Sequence, residues 1–182
     1  MYQDVVIAGF GGQGVLLVGK LLAYAGMLEG KHVTWMPSYG AEIRGGTANC
    51  TVIISSDEIG TPVVRNPSAL MIFNEASFNK FENRIKINGT LFLNTSLVHG
   101  VVTRKDVARI ELKANDIAEH LGDIRVANMV MLGTFLQKTG VVSLESVLAA
   151  LKHVLPLRRH VLIPINEKAL KRGAEVCPRA AA

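Results

Sequence analysis

At 182 residues the chain can bury a full core in one domain, and 49% hydrophobic with only 5% aromatic content suits a compact α/β protein and excludes a disordered or fibrous one. No stretch approaches the roughly 18 to 20 apolar residues of a bilayer span, and the chain opens Tyr2-Gln3-Asp4 rather than with a leader, so a cytoplasmic protein without a membrane partner is expected. The net charge of +5 sits in the tail, where seven Lys/Arg face two Glu from Leu151 onward, yet no aromatic follows Phe135 to stack on bases, so no nucleic-acid partner is expected.

An apolar strand over 4 to 8 runs into Gly9-Phe-Gly11-Gly12-Gln13-Gly14, and a helix follows from Val15 to Leu28 with Gly30 as its stop. Gly9, Gly11 and Gly14 match the G-x-G-x-x-G spacing of a strand-to-helix turn. The helix is apolar nearly all round, with Lys20 its only charge before Glu29, so it must be covered on several sides. Burial within the chain and a subunit interface both satisfy that demand.

His32 to Met36 reads as a second strand and Pro37 to Thr47 as a long ordered loop. Asn49 to Ser55 alternates, with Cys50, Val52 and Ile54 on one face, and Thr61 to Arg65 is expected to return as a short edge strand. Ala69 to Phe73 is a short buried strand, and Asn74 is placed to cap the helix starting Glu75-Ala-Ser-Phe. Gly89 to Asn94 and Val107 to Leu112 complete a sheet of about five to seven strands. Helices are expected from Asn115-Asp116 to Gly122, from Val126 to Thr139 before Gly140, from Leu144 to Val154 behind the Ser143 cap, and from Asn166 to Gly173. The fold class is therefore α/β: a Rossmann-like, open, mostly parallel sheet with helices on both faces and an antiparallel addition from the Thr47 to Arg65 region. Residues 1–176 form one domain in this reading, and 177–182 a loose tail.

Cys50 and Cys177 are far apart and outside any Cys-x-x-Cys pair, and the five histidines lack ligand spacing, so no metal or iron–sulfur site is expected on this chain. A dinucleotide site would place Asp or Glu at the end of the second strand, but that strand ends Val33-Thr-Trp-Met-Pro37. Glu42 and Arg44 come too late. The amides of Gly11, Gly12 and Gln13, with Gly14 opening the helix, still suit an anion; tight helix-on-sheet packing explains the glycines equally well. The loop Ser38-Tyr39-Gly-Ala-Glu42-Ile-Arg44-Gly45-Gly46-Thr47 leaves the sheet at the same edge. Arg44 could grip a carboxylate or phosphate with Glu42 holding it, or the two could simply brace the loop.

Taken in order, Phe10-Gly-Gly-Gln-Gly14, Ser38-Tyr-Gly-Ala-Glu-Ile-Arg-Gly-Gly-Thr-Ala-Asn-Cys50 and Asn128-Met-Val-Met-Leu-Gly133 resemble the γ subunit of 2-oxoacid:ferredoxin oxidoreductases. The likeness is closest to the 2-oxoglutarate enzyme, and pyruvate and branched-chain enzymes have similar γ chains. It implies a part in coenzyme A-dependent oxidative decarboxylation, in which a 2-oxoacid, coenzyme A and oxidised ferredoxin give acyl-CoA, carbon dioxide and reduced ferredoxin. Thiamine diphosphate with Mg would be held by α and β partner subunits, iron–sulfur clusters by β or a ferredoxin-like δ subunit, and no catalytic residue by this chain. Gly11 to Gly14 would form an anion or interface turn, and Tyr39, Glu42, Arg44, Gly45 and Gly46 a coenzyme A or subunit-junction loop. Self-association of the isolated chain through surfaces meant for partners stays open, and the alternative is a stand-alone nucleotide-binding domain.

Overall fold

The computed structural model describes residues 1–38 and 47–177. Six strands, β1 (Tyr2–Phe10), β2 (His32–Ser38), β3 (Thr47–Ser55), β4 (Ala69–Ile72), β5 (Thr90–Asn94) and β6 (Ala108–Leu112), form one sheet in the order β2-β3-β1-β4-β5-β6. β1, β4, β5 and β6 are parallel neighbours, with Val5 beside Ala69, Ala69 beside Thr90 and Thr90 beside Ala108. β3 is antiparallel to both β1 and β2, so β2 points the same way as β1 but stands two places away from it. The mostly parallel sheet with an antiparallel addition is as expected; the addition is internal, inserted between the first two strands.

Thr61 to Arg65 does not form the expected edge strand. Val63 is exposed, and the Arg84 guanidinium donates to the carbonyls of Val64 and Arg65, occupying acceptors that a ladder would have used.

Alternation sorts the strand side chains onto two faces. Val5, Ile7, Cys50, Val52, Ile54, Met71, Phe92 and Ile110 point into the larger core. It is roofed by α1 (Val15–Leu28), α3 (Ala114–His120), α4 (Ala127–Thr139), α5 (Leu144–Val154) and α6 (Ile163–Val176). On the reverse face Val6, Ala8, Leu70, Ile72, Leu91 and Leu93 meet a smaller layer, α2 (Glu75–Phe81) and the segment between β5 and β6, through Phe78, Phe81, Val98 and Val102. That segment replaces a crossover helix and is pinned by Glu75, which accepts from the amides of His99 and Gly100.

Caps fall where the sequence places them. Asn74 Oδ1 accepts from Ser77 N at 2.8 Å, Ser143 Oγ accepts from Ser146 N at 3.0 Å, and Gly140 closes α4 at φ 60°. The last helix is longer than its polar pattern suggests, because Pro164 in its first turn starts it at Ile163. Among the described residues no helix is long and apolar enough to cross a membrane.

The all-round apolar character of α1 is answered inside the chain. One side lies on β1, β2 and β3 and the other meets α4 and α5, burying Val15, Val18, Leu21, Leu22 and Ala25 while Lys20 stays exposed. Cys50 is sealed beneath it, with Sγ donating to Val15 O, and burial pushes its thiol up to about 12, so it is a packing residue with no thiolate chemistry near neutral pH.

α4 and α6 cross at backbone contact. A Cβ at Gly133 would fall on the Leu170 carbonyl, one at Gly173 would fall on the Val130 carbonyl, and Thr134 Oγ1 donates to Gly173 O at 2.7 Å. Gly133→Ala and Gly173→Ala should each lower stability by about 1–3 kcal/mol through overpacking; a urea midpoint equal to wild type would contradict the crossing.

The end of α1 is clasped to the start of α5. Glu29 accepts from Ser143 N and from Lys31 Nζ, each at 2.7 Å, and Lys31 also donates to Val141 O. Burial pushes the Glu29 carboxyl up, but Lys31, the Ser143 amide and Ser146 pull it down to about 2. A depressed carboxylate stabilises the fold above its ordinary value of 4.5, and that contribution is lost as pH falls from there toward about 2. Glu29→Gln should flatten the acid limb of the stability–pH curve in that window, as followed by denaturant melts.

Candidate functional site

The glycine turn stands at the carboxyl end of β1, near the middle of the sheet. Gly12 at φ 101° and Gly14 at φ 74° adopt left-handed backbone that other residues resist, and Gly14 opens α1 without a side-chain cap. No acidic residue occupies the first turn of α1. The positive end of the helix dipole therefore meets no acidic side chain in its own first turn.

Gln13 does not face out. Its Oε1 accepts from Phe10 N at 2.6 Å and from Asn74 Nδ2 at 3.1 Å, while Nε2 donates to Phe73 O at 3.2 Å. The side chain thus laces the end of β1 to β4 and to the cap of α2, and the backbone amide is engaged as well, donating to Phe10 O at 3.2 Å, so Gln13 offers no free donor to a ligand.

Against the turn lies Asn128, in the first turn of α4. Its amide packs on Gly14 so closely that a Cβ there would collide with it. Asn128 is 6% exposed, and its Oδ1 is buried without a hydrogen-bond partner among the described residues. An orphaned buried acceptor costs about 1–3 kcal/mol, so a donor not among the described residues is expected there.

Asn128 and Gly12 line two adjoining hollows. The larger, about 320 Å³, has an apolar floor of Leu17, Val126, Leu155, Leu162 and Ile165 and polar walls of Asn166, Arg125 and Arg159. The smaller, about 220 Å³, runs over Gln13, Phe73 and Asn115 to Ile124. Arg125 forms a fork with Asp123 at 2.7 to 3.1 Å, and that guanidinium holds the Asp123 carboxyl below the usual carboxylate range. Asp123 lines the same hollow as Arg159, but its carboxylate is engaged by Arg125, and Arg159 forms no ion pair among the described residues.

Of the sequence-derived candidates, the structure brings Gly12 and Gly14 to the wall of this hollow, and Gln13 to its neighbour. Tyr39, Glu42, Arg44, Gly45 and Gly46 lie outside the described residues. The loop that carries them springs from Ser38, opposite Asn49, and re-enters the sheet at Thr47, opposite Phe10. Both of its ends are thus at the edge that holds the glycine turn.

Sequence reasoning missed Arg125, Asn128, Arg159 and Asn166 as site residues. Asn128 did carry a signal, as a lone amide at the head of an apolar helix. Arg125 and Arg159 are brought together only by tertiary packing.

The insertion of β3 also explains why the dinucleotide pattern breaks. The carboxylate that would bind a ribose belongs at the end of a strand beside β1. Here β3 occupies that place and begins there with Thr47, while β2 ends roughly 10 Å away, two strand spacings across. Among the described residues no group of three or more His, Cys, Asp or Glu comes together to hold a metal ion.

Comparison with known proteins agrees with this architecture. Residues 4–176 match the family model for pyruvate ferredoxin/flavodoxin oxidoreductase. The chain is 38% identical over 173 residues to ketoisovalerate oxidoreductase subunit VorA of Methanothermobacter marburgensis, covering 94% of this chain and 36% of that one. It is 35% identical over 163 residues to 2-oxoglutarate synthase subunit KorC of the same organism, covering 86% and 88%. It thus spans about a third of the VorA length and most of the KorC length.

Among solved structures, the gamma subunit of a keto/oxoacid ferredoxin oxidoreductase from Geobacter sulfurreducens superposes with a TM-score of 0.82 at 29% identity, over 95% of this chain and 96% of that one. A 2-oxoglutarate:ferredoxin oxidoreductase from Magnetococcus marinus, solved with 2-oxoglutarate, coenzyme A and succinyl-CoA bound, shares the fold at TM-score 0.88 and 21% identity, over 98% of this chain and 32% of that one. The chain belongs to the pyruvate ferredoxin/flavodoxin oxidoreductase family, with the fold and length of its gamma subunits.

Proposed function

We propose that the chain is the γ subunit of a 2-oxoacid:ferredoxin oxidoreductase and that its glycine-turn hollow takes part of the coenzyme A used in oxidative decarboxylation. The observation that carries this reading is the hollow's composition: the uncapped start of α1, the orphaned Asn128 Oδ1, two guanidiniums, of which Arg125 is forked to Asp123 and Arg159 is not paired, and an apolar floor. Phosphate groups match the guanidiniums and the helix end, and a donor on the same molecule matches Asn128 Oδ1. Tyr39, Glu42, Arg44, Gly45 and Gly46, which follow Ser38 and precede Thr47 at the same edge, would contribute to the coenzyme A site or the subunit junction. The coenzyme A bound in the Magnetococcus enzyme supports the choice of ligand.

Reaction chemistry falls to partner chains in this reading. The described residues offer no cluster of acidic or thiol ligands for the Mg of thiamine diphosphate or for an iron–sulfur cluster, and no step is assigned to this chain's side chains. Its work is binding and orientation, in a cytoplasmic assembly with α, β and ferredoxin-like δ subunits that passes electrons to ferredoxin. For the 2-oxoacid we favour 2-oxoglutarate, supported by KorC, which matches this chain over most of both lengths. Ketoisovalerate is the second reading, supported by the higher identity to VorA.

The test is purification of the assembled enzyme and assay of coenzyme A-dependent viologen reduction with each 2-oxoacid. Arg44→Ala and Arg125→Ala should each raise the apparent KM for coenzyme A by roughly 10-fold or more, the worth of a charge-assisted hydrogen bond, and leave the KM for the 2-oxoacid unchanged. Unaltered coenzyme A kinetics in both variants would remove the ligand from this edge. Failure to recover thiamine-dependent partners would remove the subunit role itself.

A further inference from the structure

The positive charge of the C-terminal region divides into a paired and an unpaired part. Along α6 Lys171 is paired with Glu167 and Arg172 with Glu175. Arg158 and Arg159 have no partner among the described residues, and both are exposed on the 3-10 turn Leu157–Leu162 that joins α5 to α6. The turn is built rather than loose: Arg159 N donates to Pro156 O at 2.7 Å, and His160 Nε2 lies 3.0 Å from Leu155 O. Yet the same turn holds Leu157 at 84% and Val161 at 80% exposure, while the neighbouring Leu155 is buried. Across the hollow, Ile124 at 50% exposure stands beside Arg125.

We infer that Leu157, Arg158 and Val161 form a docking knuckle for an acidic, apolar-socketed surface on another polypeptide of the assembled oxidoreductase. Arginine is enriched at interface centres, where guanidiniums find carboxylates, and two highly exposed aliphatic side chains beside it would lose water on docking. Charge complementarity selects the occupant. A second copy of this chain would set Arg158 and Arg159 against their own equivalents across a two-fold axis, a like-charge contact. A nucleic acid would want aromatic platforms, and the turn has none. The inference rests on the proposed subunit role, but Leu157, Arg158 and Val161 do not line the coenzyme A hollow, whereas Arg159 and Leu162 of the same turn do.

The experiment uses the full chain with purified partner subunits, measuring assembly by calorimetry and association rates at low and high salt. The double substitution Leu157→Ser with Val161→Ser should weaken assembly at least tenfold, and Arg158→Glu should do likewise while removing most of the salt dependence of the association rate. Both variants alter exposed side chains, so their melting curves alone should match wild type. Wild-type assembly by both variants would overturn the docking knuckle and leave the subunit role standing. So would loss of heparin or RNA retention in Arg158→Glu with assembly unchanged, which would mark a polyanion site instead. Failure of the wild-type chain to assemble overturns both readings.

Discussion

The arrangement at the carboxyl edge follows from one constraint, the antiparallel pairing of β3 with both β1 and β2. A strand running against its neighbours must begin where they end. Thr47 is therefore set beside Phe10, and Ser38 and Thr47 both stand at the edge that carries the glycine turn. The same pairing moves β2 away from β1 and removes the position from which an acidic side chain could reach a ribose. A turn with dinucleotide spacing is thereby left without the rest of a dinucleotide site. Its glycines border a hollow furnished by quite different parts of the chain.

Much of the fold was legible because its causes are local. Cys50, Val52 and Ile54 alternate as a half-buried strand must, Asn74 and Ser143 cap where a short polar side chain precedes an apolar run, and Gly140 stops α4 with a left-handed residue. What was not legible depends on partners distant in sequence. The apolar Val63 and Val64 suggest a strand, but the distant Arg84 takes the carbonyls of Val64 and Arg65. Gln13 reads as part of a ligand-facing turn until Phe73 and Asn74 arrive to claim its side chain. The rim arginines share a hollow only because the 3-10 turn after α5 folds back beside α4.

The site is also held by packing that makes no contact with a ligand. Gly133 and Gly173 let α4 and α6 touch backbone to backbone, and Thr134 bonds across the contact. α4 carries Asn128 to Gly14, and α6 carries Asn166 and Ile165 to the opposite wall. Two helices that cannot slide past each other fix the width of the hollow. An orphaned acceptor is useful only when its surroundings are this rigid, since a mobile amide would turn and find a partner within the protein.

The enclosure of α1 bears on the order of events in the life of the protein. A subunit that depended on its neighbours to cover an all-apolar helix would have to meet them during synthesis or be lost to aggregation. This chain covers Leu21 and Leu22 with its own α4 and α5, and on α1 leaves Met27 and Leu28 outside at the helix end. The core of the helix therefore needs no second chain to keep it from water, so the folding of this chain need not be timed to the supply of any other.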